Sequence, residues 1–100
     1  RQKLAAMPEL TVVGVTGSFG KTSTKYFLHT LLSTQYNVLM TPGNYNTTLG
    51  VVRTVREQLS PTHQIFLCEM GARHPGDIKE ICDLVRPQYG VITAVVLWKT

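Results

Sequence analysis

The run Val12-Val13-Gly14-Val15-Thr16-Gly17-Ser18-Phe19-Gly20-Lys21-Thr22-Ser23 is an apolar stretch that empties into a glycine-bracketed turn and a Lys-Thr pair. These residue types at this spacing could bind phosphate. Gly17 and Gly20 lack a Cβ, so the turn can take positive φ and bring its backbone N–H groups against phosphate oxygens. A helix opening here would aim its positive end at the same oxygens. Lys21 supplies a point charge for the outer phosphates, and Thr22 a hydroxyl for Mg²⁺. Thr16, Gly17, Ser18, Gly20, Lys21, Thr22 and Ser23 are therefore the candidate nucleotide cradle, with Lys21 the candidate catalytic group. The bland alternative is a glycine-rich turn that caps a helix, with Lys21 solvated. A lysine and a hydroxyl directly after the second glycine weigh against it. The match to G-x-x-x-x-G-K-[ST] is partial, because Val15 stands where the first glycine belongs.

Glu69 ends the apolar stretch Ile65-Phe66-Leu67-Cys68. A carboxylate at the tip of a buried strand is costly unless a cation or donors await it. Mg²⁺ takes hard oxygens, typically one or two carboxylates plus phosphates and water. Glu69 and Thr22 are the candidate metal ligands, on condition that the strand ending in Glu69 neighbours the one entering the glycine turn. Asn46 stands just ahead of a helical pattern and reads either as that helix's N-cap or as a donor to a ligand. His74 and Arg73 fall on a loop, where surface exposure and ligand contact are both open. His29 and His63 show no partner pattern.

The elements needed to position these residues alternate. Strands are expected at Leu10–Val15, Asn37–Thr41, Gln64–Glu69 and Gly90–Val96, rich in Val, Ile, Leu and Phe and largely free of charge, as in a sheet covered on both faces. Helices are expected at about Thr22–Ser33, Thr48–Leu59 and Gly76–Val85, with apolar stripes at Leu28, Leu31, Leu32 and at Ile78, Ile81, Cys82, Val85. Successive βαβ units give an α/β fold, a parallel sheet between helical layers. The loops after the first three strands then open on one edge, so Gly17–Thr22, Thr41–Thr48 and Glu69–Pro75 meet at the carboxyl ends, where such sheets bind ligands. Residues 1–9 read as a linker or incoming helix, and 10–100 as one incomplete nucleotide-binding domain.

A chain of 100 residues holds one core. It is 43% hydrophobic and 16% charged, with no apolar run long enough to span a bilayer, so no membrane partner and a cytoplasmic setting are expected. The net charge of +4 comes from Lys and Arg scattered along the chain without a basic cluster, which argues against nucleic acid. Cys68 and Cys82 lack C-x-x-C spacing and read as buried thiols.

Three segments together carry a resemblance: T-G-S-x-G-K-T-S at the glycine turn, Thr41-Pro42-Gly43-Asn44-Tyr45-Asn46-Thr47-Thr48-Leu49-Gly50, and Glu69-Met70-Gly71-Ala72-Arg73-His74-Pro75-Gly76-Asp77-Ile78. In order and spacing the chain resembles the central domain of the Mur ligases, ATP-dependent enzymes of peptidoglycan synthesis, and in its third segment the members that add D-alanyl-D-alanine. The resemblance implies ATP and Mg²⁺ as cofactors, Glu69 as a metal ligand, and Asn44 or Asn46 as donors beside the substrate's phosphates. Many relatives carry a second asparagine where this chain has Thr47. It also implies amide formation through an acyl phosphate, with a UDP-muramyl peptide and an amino acid or dipeptide as substrates, bound through domains that do not fit in this chain. The likeness fades after Ile92-Thr93. Other classes that could share the loop are a small kinase or GTPase, though neither an arginine-bearing lid nor N-K-x-D is visible, and a non-catalytic Mur-like nucleotide-binding subunit.

Overall fold

A computed structural model describes residues 4, 6–17, 20–43, 47–71 and 76–93, the last three of these by backbone alone. Strand and helix alternate as β1 (Thr11–Gly17), α1 (Lys21–Leu32), β2 (Val38–Met40), α2 (Thr48–Gln58), β3 (Ile65–Glu69), α3 (Asp77–Val85) and β4 (Tyr89–Thr93). The expected fourth strand ran to Val96, but residues 94–96 lie outside the described residues.

Among the described residues the strands form one sheet in the order β2-β3-β1-β4, and every pairing is parallel. β3, between β2 and β1, is buried at each of its positions, which explains its unbroken apolar sequence before Glu69. On one face α2 and α3 bring Val51, Val55, Ile81 and Val85 against Val12, Phe66 and Cys68. Leu4 and Met7, in the stretch expected as a linker or incoming helix, pack against this same cluster. On the other face Leu28 and Leu32 of α1 cover Val38, Ile65 and Leu67. The architecture is the expected three-layer α/β fold.

Two local expectations are corrected. The stripe on α1 is not Leu28, Leu31 and Leu32: Leu31 is 55% exposed, whereas Lys25 is 0% exposed. The helix turns so that positions 25, 28, 29 and 32 face the sheet, with the His29 Nε2 atom 3.2 Å from the Val38 carbonyl oxygen. A lysine can occupy an apolar face where its ammonium finds acceptors, and it does so here. At α2 the N-cap is Thr47, whose hydroxyl accepts from the Gly50 N–H at 3.2 Å, so the capping role considered for Asn46 falls to its neighbour. The stripe on α3 is as expected, with Ile81 and Val85 buried and Ile78 and Cys82 packed against the core. That helix ends at Arg86, φ 51°, immediately before Pro87.

The two leucine-type positions separate these stripes experimentally. Ile81→Ala should cost about 2–5 kcal/mol, whereas Leu31→Ala should stay within about 0.5 kcal/mol. Urea unfolding midpoints measure both, and similar losses at the two positions would contradict the orientation of α1.

Candidate functional site

Parallel pairing puts the ends of β1, β2 and β3 on one edge. Val15 lies opposite Glu69 in the β1–β3 register, so β1 runs on past it through Thr16 to Gly17. Gly17 and Gly20 have φ of 136° and 76°, values that an L side chain resists. Gly20 is the N-cap of α1. Among the described residues no side chain caps that helix, and no acid lies in its first turn. Its leading N–H groups are thus left for an anion. Lys21 Nζ donates to the Gly17 carbonyl at 3.0 Å, which places the ammonium across the loop it follows. Ser23 is exposed on the first turn of α1. Of the expected cradle, Thr16, Gly17, Gly20, Lys21, Thr22 and Ser23 are described, and Ser18 lies outside the described residues.

The condition set on Glu69 and Thr22 is met, because β3 does neighbour β1. The Thr22 hydroxyl lies 3.1 and 3.2 Å from the two Glu69 carboxylate oxygens. Glu69 is 1% exposed, so its charge needs more than one hydroxyl. The rest comes from Lys25, whose Nζ is 3.0 Å from Glu69 Oε1. The same ammonium donates to the Thr41 carbonyl at 2.6 Å and to the Gly43 carbonyl, which gives each of its three protons an acceptor. The Thr41 hydroxyl in turn accepts from the Glu69 N–H at 3.1 Å. The cluster therefore joins α1, the loop after β2 and the tip of β3.

A hydroxyl and a carboxylate side by side, both hard oxygen donors, next to a helix start are groups of the kind that Mg²⁺ and a phosphate draw from a protein. Among the described residues no group of three or more His, Cys, Asp or Glu gathers, so a metal here would draw its remaining ligands from phosphate and water. A cavity of about 770 Å³ opens at the opposite edge of the sheet, bordered by Leu10, Thr11, Tyr36 and Tyr89. It lacks this constellation, and the carboxyl edge is the better candidate. Cys68 is no nucleophile: burial, with Cys82 nearby, pushes its thiol up to about 12. Asn44, Asn46, Arg73 and His74 lie outside the described residues.

Lys25 and Thr41 were missed from the sequence. The available signal was a lysine one turn ahead of Leu28, in line with the buried stripe, and one turn after Lys21.

Comparison with known proteins decides the family. The sequence matches the Mur ligase middle domain over residues 15–96. The chain belongs to the Mur ligase family. It is 43% identical to the UDP-N-acetylmuramoyl-tripeptide--D-alanyl-D-alanine ligase of Synechocystis over 86% of this chain and 19% of that protein. The Bacillus subtilis ligase of the same name is also 43% identical, over 84% of this chain and 18% of the relative. In structure, MurF from Acinetobacter baumannii superposes with a TM-score of 0.85 at 38% identity, covering 90% of this chain and 20% of that one. MurF ligase from Thermotoga maritima, solved in complex with ADP, gives 0.80 at 42% identity, covering 86% and 20%. This Mur ligase segment thus spans about a fifth of the length of these relatives.

Gly20 tests the loop geometry. Nothing lies within 4 Å of a Cβ added there, so only the left-handed backbone opposes a side chain. Gly20→Ala should destabilise by about 1–2 kcal/mol in urea unfolding. A neutral substitution would mean that the loop does not hold this conformation.

Proposed function

We propose that the chain is the nucleotide-binding part of an ATP-dependent amide ligase of peptidoglycan precursor synthesis, of the D-alanyl-D-alanine-adding type. The observation that carries the reading is the pairing of Thr22 with the buried Glu69 beside the uncapped, glycine-led start of α1. Membership of the Mur ligase family, and the ADP complex of a structural neighbour, support it. In this reading the substrates are ATP, a UDP-muramyl peptide carboxylate and the amine of D-alanyl-D-alanine, the last two held by parts of the protein beyond this segment, in the cytoplasm. No helix among the described residues is long and apolar enough to cross a membrane.

The residues divide the work by position. The amides of the Gly17–Thr22 loop and the start of α1 cradle the β-phosphate, and Lys21 leaves the Gly17 carbonyl to meet charge on the γ-phosphoryl group. Thr22 and Glu69 would hold Mg²⁺, which neutralises phosphate charge when bound. The γ-phosphoryl group passes from ATP to a carboxylate oxygen, giving ADP and an acyl phosphate. The amine nitrogen then attacks the acyl carbon, phosphate leaves with the C–O electron pair, and the nitrogen loses a proton to give the amide. Asn44 and Asn46 are proposed donors beside the substrate phosphates.

Three measurements on the full-length protein that carries this sequence test the reading. Lys21→Ala should weaken Mg-ATP binding by tenfold or more in calorimetry, roughly the value of one charge-assisted contact; equal affinity would refute the cradle. Glu69→Gln should blunt the Mg²⁺ dependence of nucleotide binding and leave metal-free binding nearly unchanged. Mass spectrometry should detect amide from a UDP-muramyl peptide and D-alanyl-D-alanine with the full-length protein only. The isolated segment lacks the positioning of carboxylate and amine, worth roughly 7–11 kcal/mol of barrier. A full-length protein inert on every muramyl substrate would point to a non-catalytic nucleotide-binding role.

A further inference from the structure

The mechanism above gives Lys25 no task, yet it is the most completely buried charged side chain among the described residues. It sits one turn beyond Lys21 on α1, at 0% exposure, with its three protons on Glu69 Oε1, the Thr41 carbonyl and the Gly43 carbonyl. Such a group is too enclosed to meet substrate. We propose that Lys25 is a positioning residue: it serves as the internal counter-cation of Glu69 and makes divalent-metal binding at this edge depend on nucleotide.

Charge and geometry point to this role, which rests on the nucleotide–metal reading of the site. Glu69 is the carboxylate at the Thr22 end of β3, and Lys25 cancels its charge. A metal arriving alone meets a net-neutral pair and must shed water to reach it, which Mg²⁺ does reluctantly. A metal arriving with a triphosphate brings its own negative charge. Lys25 lies on Oε1 and the Thr22 hydroxyl reaches both carboxylate oxygens, so two side chains of α1 hold the carboxylate in place. The bonds to Thr41 and Gly43 extend the same constraint to the chain just before Asn44. Glu69 is thereby held ready and charge-balanced before any ligand binds.

The probe is Mn²⁺ alone, titrated by electron paramagnetic resonance into nucleotide-free full-length protein, with thermal unfolding in Mg²⁺ as a second readout. Wild type should bind Mn²⁺ at least about tenfold more weakly than Lys25→Met, the least that removing an adjacent cation implies. The Tm of Lys25→Met should fall in metal-free buffer, because a buried carboxylate loses its counter-cation, and should recover with Mg²⁺ alone. Lys25→Met/Glu69→Gln should regain Tm without metal and lose the Mn²⁺ response. Wild type binding Mn²⁺ alone as tightly as Lys25→Met, or a double variant no more stable than the single one, would overturn the proposal. Should Lys25→Met not fold, wild type that binds Mn²⁺ as tightly without nucleotide as with ADP would overturn it equally. Mn²⁺ that binds no variant even with ADP present would instead defeat the nucleotide reading, while the Tm comparison of single and double variants still decides the pairing.

Discussion

Burying Glu69 at the tip of β3 obliges everything around it to answer a charge. An unpaired carboxylate in that position would cost more than a small domain can spare, since total stabilities are only about 5–15 kcal/mol. Lys25, Thr22 and Thr41 converge on it from α1 and from the end of β2, and no buried side-chain N or O atom among the described residues lacks a hydrogen bond. Replacing such a pair by apolar residues is often neutral or stabilising, so its value is better sought in the geometry it fixes than in folding energy. Here it fixes the separation between the helix that follows the glycine turn and the strand that carries the carboxylate.

Parallel topology is what brings these groups together. β1 and β3 pair in a register that sets Val15 opposite Glu69, and α1 starts four residues beyond the end of β1, which sets its first turn beside the tip of β3, where Thr22 meets Glu69. Gly17 and Gly20 make that short reversal possible with positive φ. The helices on the two faces do different work. α2 and α3 close the larger core, while α1 spends part of its sheet-facing stripe on a charge. That arrangement accepts a thinner apolar contact on the α1 side, where Leu28 and Leu32 cover the sheet, in return for a polar anchor at the carboxyl edge.

Most of the fold was legible because its signals are local. The apolar runs before Gly17 and Glu69, the glycines at the turn, and Pro87 after α3 mark elements whose bounds fall within a residue or two of those observed. The pairing of Thr22 with Glu69 was legible too, conditional on strand order, since both sit at fixed offsets from strand ends. The burial of Lys25 was not. Periodicity assigns a lysine to the solvent face, and the acceptors that reverse this lie on Thr41, Gly43 and Glu69, 16 or more residues along the chain. Leu31 was placed in the core by the same rule, and it is exposed because α1 is rotated to bring Lys25 inward. Thr47 in place of Asn46 as the cap of α2 was beyond reach for a simpler reason: adjacent residues of similar capping ability differ only in the backbone each adopts.

The central claim is that Thr22 and Glu69 form one half of a metal–nucleotide shell whose carboxylate is already held by Lys25. Anomalous diffraction from crystals grown with Mn²⁺ and a non-hydrolysable ATP analogue tests it most directly. The account predicts a single strong peak within coordination distance of Thr22 Oγ1 and beside the Glu69 carboxylate, reached directly or through one water, with Lys25 still on Oε1. A peak bound to the nucleotide but remote from Glu69, or a Glu69 that has left Lys25 to chelate the metal through both oxygens, would contradict it.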